Sequence, residues 1–244
     1  MISIFISAIK IIFLLGFLIG IHETGHFLIA KLCKVRVNEF AIGFGPTIWK
    51  KQGKETKYAL RLVPLGGFVS MEGEEEHSDK EGSFSKASIP KRIAIVSAGA
   101  LVNIIFALII YFILSSIICN NIYYGFWNTG DYVSSIVDNL KQLFTGKVST
   151  DQLMGPVGIS EVVAKTNGFK EFIYMLALIS MSLGVTNLIP FPPLDGGKIL
   201  MLIIEGIRKK PLNQELEVKI QLLGFAILIT LSIYITYNDV LRIF

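Results

Sequence analysis

Four stretches of this chain, roughly residues 3–31, 93–118, 172–206 and 216–236, stay apolar over the length a helix needs to cross a bilayer, about 20 residues. No other feature limits the fold so strongly. In lipid every backbone polar group must be satisfied inside the protein, which leaves helices or a closed barrel. At about 20 apolar residues or more, the runs read as membrane-spanning helices. Only 17% of the residues are charged and 52% are hydrophobic, which sets the chain apart from ordinary soluble domains. The first run is too long for the apolar core of a secretory signal, and no small-residue cleavage site follows it. It reads as a retained span.

Orientation follows from where Lys and Arg collect. They crowd the segment 32–92 and recur as Arg208, Lys209 and Lys210, whereas 119–170 carries only Lys141, Lys147, Lys165 and Lys170. This predicts that 32–92 and 207–215 are cytoplasmic, and that both termini and 119–170 lie outside. The net charge of +4 reflects this bias and gives no reason to expect a nucleic-acid partner. Cys33 and Cys119 fall at opposite ends of their spans, where no disulfide can join them.

After the first span the pattern changes. Residues 35–71 are rich in Val, Ile, Phe and Tyr. "KYALRLV" alternates, and "KKQGKET" reads as a hairpin turn. The expectation is a small membrane-associated β-sheet on the cytoplasmic side. Residues 72–83, "EGEEEHSDKEGS", read as a solvated acidic loop. Pro90 introduces the second span, in which Asn103 suits an interhelical hydrogen bond. The outer segment 119–170 holds helical patterns near 131–145 and 159–166, and at this length it has no room for a separate domain with its own core.

The third span is interrupted. Pro190, Pro192, Pro193 and the sequence Asp195-Gly196-Gly197 forbid a continuous helix. Such a break must be buried in protein or line a wet cavity, and an acid at the break marks a site. The expected fold is therefore a polytopic α-helical membrane protein with four spans, the third broken at Pro190–Gly197, forming a single unit over residues 1–244.

The first span carries "HETGH". His22 and His26, four residues apart, lie one above the other on a helix face and can grip one metal ion, with Glu23 beside them. Stacked histidines also serve haem, proton relays or interhelical hydrogen bonds. A membrane position favours a functional reading, because each buried ionisable group is costly. A catalytic zinc site needs a third protein ligand. His77 sits in the acidic loop, and Cys33 lies two turns from His26, about 10 Å along the helix. Asp195 is the remaining membrane-buried candidate. The site then reads as His22, His26 and Asp195 on one Zn²⁺, with Glu23 activating a water on the metal and Asn187 donating to the oxyanion.

"HETGH", "GFG" at 43–45, "PLGG" at 64–67, "GPVGI" at 155–159 and "NLIPFPPLDGG" at 187–197 together resemble the site-2 protease family. More narrowly, they resemble its bacterial sigma-regulating, RseP-type branch. The likeness runs in order over nearly the whole chain. It implies His22, His26 and Asp195 as zinc ligands and Glu23 as the catalytic acid and base. Asn187 would assist at the site, and Gly43, Phe44, Gly45 and Pro190 would contact substrate. It further implies a bacterial membrane enzyme that cuts transmembrane segments, such as those of anti-sigma factors and remnant signal peptides, after an upstream site-1-type protease has acted. That branch normally carries one or two PDZ domains between the second and third spans, and the interval from Cys119 to Gly155 leaves no space for one.

Two other classes compete. A metal or proton carrier would need a polar path to both faces, and apart from Lys10 and Asn103 spans 1, 2 and 4 offer few groups for it. A catalytically dead scaffold would be expected to have lost Glu23 or a ligand, and the motif is intact.

Overall fold

The computed structural model describes residues 2–74, 76, 78–146, 155–166 and 168–243. The described residues form seven helices and one hairpin: α1 (Ile2–Leu32), β1 (Val37–Gln52), β2 (Lys57–Met71), α2 (Ile89–Ile118), α3 (Ile122–Phe144), α4 (Pro156–Ala164), α5 (Phe169–Asn187), α6 (Asp195–Arg208) and α7 (Gln214–Ile243). Four of them, α1, α2, α5 and α7, are long and apolar enough to cross a membrane. This is a multi-pass integral membrane protein. Its large exposed apolar side chains, such as Phe13 and Phe17 on α1 or Leu222 and Phe225 on α7, suit lipid rather than water.

The residues form two compact units, one of Ile12–Ile104 with Ser182–Phe225, the other of Met1–Ile11, Ile105–Met181 and Ala226–Phe244. In the first, α1 ends in a left-handed turn at Lys34 (φ 63°), where the N–H of Val35 reaches back to the carbonyl of Ala30 at 2.9 Å. The chain then enters β1, which pairs antiparallel with β2. The turn expected at "KKQGKET" forms, closed by the N–H of Gly53 on the carbonyl of Thr56 at 2.9 Å. The hairpin also doubles back on itself: Phe40 faces both Val69 and Tyr58, and Ala41 both Phe68 and Ala59. Positive φ angles at Gly43 (90°) and Gly45 (82°) make that reversal possible. Ala30, Val37, Met71, Phe84, Ile95 and Leu202 close a core between the hairpin, α1, α2 and α6.

The acidic loop is less free than its composition implies. Glu72 accepts from Asn38, Ser78 and Lys80, and Ser83 is fully buried. Short hydroxyl side chains there satisfy the turn's polar groups and pin it to the hairpin. Glu75 and His77 lie outside the described residues.

The break in the third span falls where proline and glycine predict it. α5 stops at Asn187 and α6 starts at Asp195. The two glycines after Asp195 are packing requirements. A Cβ on Gly197 would stand 2.6 Å from the nitrogen of Pro192, and one on Gly196 would overlap the carbonyls of Leu188 and Ile189.

In the second unit the helix expected near 131–145 begins nine residues earlier, because the aromatic run 122–127 continues its pattern. α3 turns back along α2: Tyr132 stacks on Tyr111 with centroids 4.3 Å apart, and Asn128 donates to Ser115 at 2.8 Å. The helix expected near 159–166 is α4, opened by Pro156. Its start is held by the carboxylate of Asp239, 1% exposed, which accepts the N–H groups of Gly155 (2.9 Å) and Gly158 (2.7 Å). Lys10 donates to the carbonyl of Thr166 at 3.0 Å, which gives this intramembrane cation a partner. Both cysteines are free thiols.

Candidate metal centre and hydrolytic site

Helical spacing on α1 brings His22 and His26 together, with their Nε2 atoms 3.1 Å apart. The N–H at Nδ1 of His26 donates to the carbonyl of Ile95 on α2 at 2.9 Å, which turns its Nε2 lone pair towards His22. Asp195, the first residue of α6, places Oδ2 at 3.2 Å from Nε2 of His22 and 3.5 Å from Nε2 of His26. Two imidazole nitrogens and a carboxylate oxygen thus converge on one point. Oδ2 is buried yet makes no hydrogen bond among the described residues.

This triangle can be tested against a metal. Zinc bound tetrahedrally at about 2.0–2.2 Å separates its ligand atoms by about 3.3–3.5 Å. The observed edges of 3.1, 3.2 and 3.5 Å come within about 0.2 Å of that spacing, and the donor set suits zinc. Of the other sequence candidates for the third ligand, His77 lies outside the described residues, and Cys33 is not part of this cluster.

The three groups line a cavity of about 260 Å³ together with Glu23. One wall is strand β2. Gly67, Phe68, Val69 and Met71 face the cavity, and among the described residues no strand pairs with that edge. Gly67 must be a glycine, because a Cβ there would stand 2.9 Å from Cγ of Glu23. Glu74, Lys198 and Gln221 complete the polar lining, and Lys198 pairs with Glu74 at 2.6 Å.

Several residues around the site carry little signal in the sequence. Gly99 packs against both imidazoles, so closely that a Cβ would lie 2.8 Å from Nε2 of His22. In the sequence it was one small residue among several in "SAGALVN". Lys198 follows Asp195 by three residues and could have been found by that helical spacing. Glu74 and Gln221 carried no signal. Conversely, Asn187 is a half-buried residue at the end of α5, and Gly43, Phe44, Gly45 and Pro190 likewise fall outside the described cavity lining. Gly43 and Gly45 shape the hairpin's reversal, and the Phe44 ring lies over Gly66.

The model of Peptidase family M50 matches residues 10–231. The chain belongs to Peptidase family M50. Its relatives include a protein of Clostridium acetobutylicum whose name places it among the zinc metalloproteases, 28% identical over 331 aligned positions that cover 97% of this chain and 98% of that one. The regulator of sigma-W protease RasP of Bacillus subtilis is 24% identical over 418 positions, covering 98% and 99%. RasP of Shouchella clausii reaches 45% identity over 113 residues, 46% of this chain and 27% of that protein. The first two alignments are longer than the 244 residues present here, so those relatives contain residues with no counterpart in this chain. As a member of this zinc-dependent family the protein is a membrane metalloprotease of the site-2 protease type.

Proposed function

We propose that this M50 peptidase hydrolyses peptide bonds inside the transmembrane segments of other membrane proteins, with His22, His26 and Asp195 holding its zinc and Glu23 as acid and base. One observation carries the reading: the three ligand atoms and Glu23 share a cavity whose wall is an unpaired strand edge. Zinc, when bound there, supplies Lewis acidity and makes water a stronger acid. Glu23 takes the proton of the attacking water and later gives one to the leaving amine. A helical substrate must unwind before its backbone can be attacked. The edge at Gly67–Met71 offers it replacement hydrogen bonds by strand addition.

The supporting parts are assigned on the same footing. Asn187, at the mouth of the break, donates to the oxyanion once substrate is bound. Gly43, Phe44 and Gly45 set the course of the hairpin, and Pro190 that of the interrupted span, so that substrate meets both. The side rich in Lys and Arg, 32–92 and 207–215, is cytoplasmic, with both termini outside and the site in the cytoplasmic half. One relative is named as a regulator of sigma-W protease. By analogy the clients are anti-sigma factors and remnant signal peptides, delivered by an upstream site-1-type protease. Without the PDZ domains usual in the RseP-type branch between α2 and α5, substrates are selected differently or less strictly.

The test is a panel of transmembrane helices incubated with purified protein in detergent, with and without a chelator, and products mapped by mass spectrometry. Glu23→Gln is expected to keep stoichiometric zinc and to lose cleavage by roughly 10²–10⁴-fold. Unchanged cleavage in that variant overturns the mechanism. Products confined to soluble loops overturn the substrate class.

A further inference from the structure

A second cavity, about 760 Å³ in volume, opens where α1 ends and α2 begins and shares no lining residue with the hydrolytic site. Five cations line it, Lys31, Lys34, Arg36, Lys86 and Lys91, against two carboxylates, Glu55 and Glu81. Lys31 is paired with Glu55 at 2.7 Å, and Lys86 lies near Asp79. Lys34 and Lys91 have no ion-pair partner among the described residues. The cavity's charge is thus positive and only partly compensated from within.

Its position decides what can fill it. Leu28 and Leu32 are lipid-facing, 51% and 76% exposed, so the apolar surface of α1 runs to its last residue. The next turn carries Lys34. On the other side α2, also a span, begins at Ile89, and Lys91 sits in its first turn. The cations therefore stand where acyl chains give way to headgroups. Cys33, Val35 and Ala87 supply an apolar lining beside the charges. The left-handed conformation at Lys34 is one that glycine usually occupies, and here a charged side chain holds it.

We propose that this pocket binds the phosphate of an anionic phospholipid headgroup, with Lys34 and Lys91 as its main contacts. Basic pockets between membrane helices suit such headgroups, and each Lys near an anionic surface adds a sizeable attraction. The position at two span ends selects a lipid over a soluble anion.

The experiment uses the full chain in phosphatidylcholine vesicles containing a spin-labelled phosphatidylglycerol or a spin-labelled phosphatidylcholine, and counts the motionally restricted lipid. Selective retention of phosphatidylglycerol is expected. Lys34→Gln should lower that affinity about fivefold, and the double variant with Lys91→Gln about thirtyfold. Lys34→Arg should retain most of it, which separates lost charge from a damaged fold. Lys50→Gln with Lys51→Gln, exposed lysines outside the pocket, should leave it unchanged. An equal loss in that control overturns the site in favour of diffuse surface charge. Displacement by millimolar inorganic phosphate, or by a soluble acidic peptide as readily as by lipid, overturns the lipid assignment. No preference for phosphatidylglycerol in the unaltered protein overturns it entirely.

Discussion

Gly99 on α2 presses its bare backbone against the imidazole of His26. A Cβ at that position would overlap Nε2 of His26 and stand 2.8 Å from both Nε2 and Cε1 of His22. The metal triangle therefore depends on the absence of a side chain from the neighbouring helix. Gly99→Ala is expected to displace at least one imidazole, with zinc affinity falling by roughly 10–100-fold or more. Zinc stoichiometry after dialysis, measured beside overall thermal stability, checks this. Full zinc content in the variant would disprove the steric argument.

Asp195 supplies the third corner from a different helix. Its replacement by Asn keeps the shape and removes the charge. Loss of a direct ligand should weaken zinc binding by more than the roughly 10–100-fold typical of outer partners. A chelator should inactivate the unaltered protein, and added zinc should restore it, with activity tracking bound metal. Activity that persists without metal would remove zinc from the reaction.

Arg92 and Glu205 tie α2 to α6 through two parallel hydrogen bonds, one of them 3.1 Å, with both side chains largely buried. The same two helices carry Ile95, which orients His26, and Asp195. Arg92→Met leaves a buried carboxylate unpaired and should cost about 3–5 kcal/mol of stability. Adding Glu205→Leu should recover most of that loss, because burying neither charge is close to neutral. Thermal or denaturant unfolding in detergent compares the two variants directly.

Glu72 gives a pH dependence. Hydrogen bonds from Ser78, Lys80 and Asn38 hold its carboxyl down to about 2, against an ordinary 4.5. The folded form binds the proton more weakly than the unfolded form, so the stabilisation is complete above about pH 4.5 and is lost as pH falls towards 2. The N–H of Phe84 donates to the carbonyl of Glu72 at 2.7 Å and reports on that turn. Its exchange protection should fall across this window and be lower but flat in Glu72→Gln. A flat profile in the unaltered protein would remove Glu72 as the cause.

The helices were legible because apolar length and proline placement act locally. The hairpin turn at Gly53 and the break between Asn187 and Asp195 appear where turn and breaker residues stand. The doubled-back pairing of Ala41 with both Phe68 and Ala59 was not legible, since register is set by side-chain packing between distant segments. The start of α3 was missed because aromatic residues in 122–127 leave helix and loop equally open until Tyr132 stacks on Tyr111.

By itself the sequence determined a membrane protein with spans of fixed order, two histidines on one helix face with a glutamate beside them, and an acid at a broken span. Those follow from hydropathy and from the 3.6-residue helical repeat, both of which are properties of nearby residues. Only the tertiary structure decided that Asp195 lies 3.2 Å from His22, that Gly99 leaves room for the pair, and that the edge of β2 rather than the "GFG" turn lines the cavity. Each of these joins residues far apart in the chain, and such contacts are set by how helices and strands pack once the lipid has gathered them.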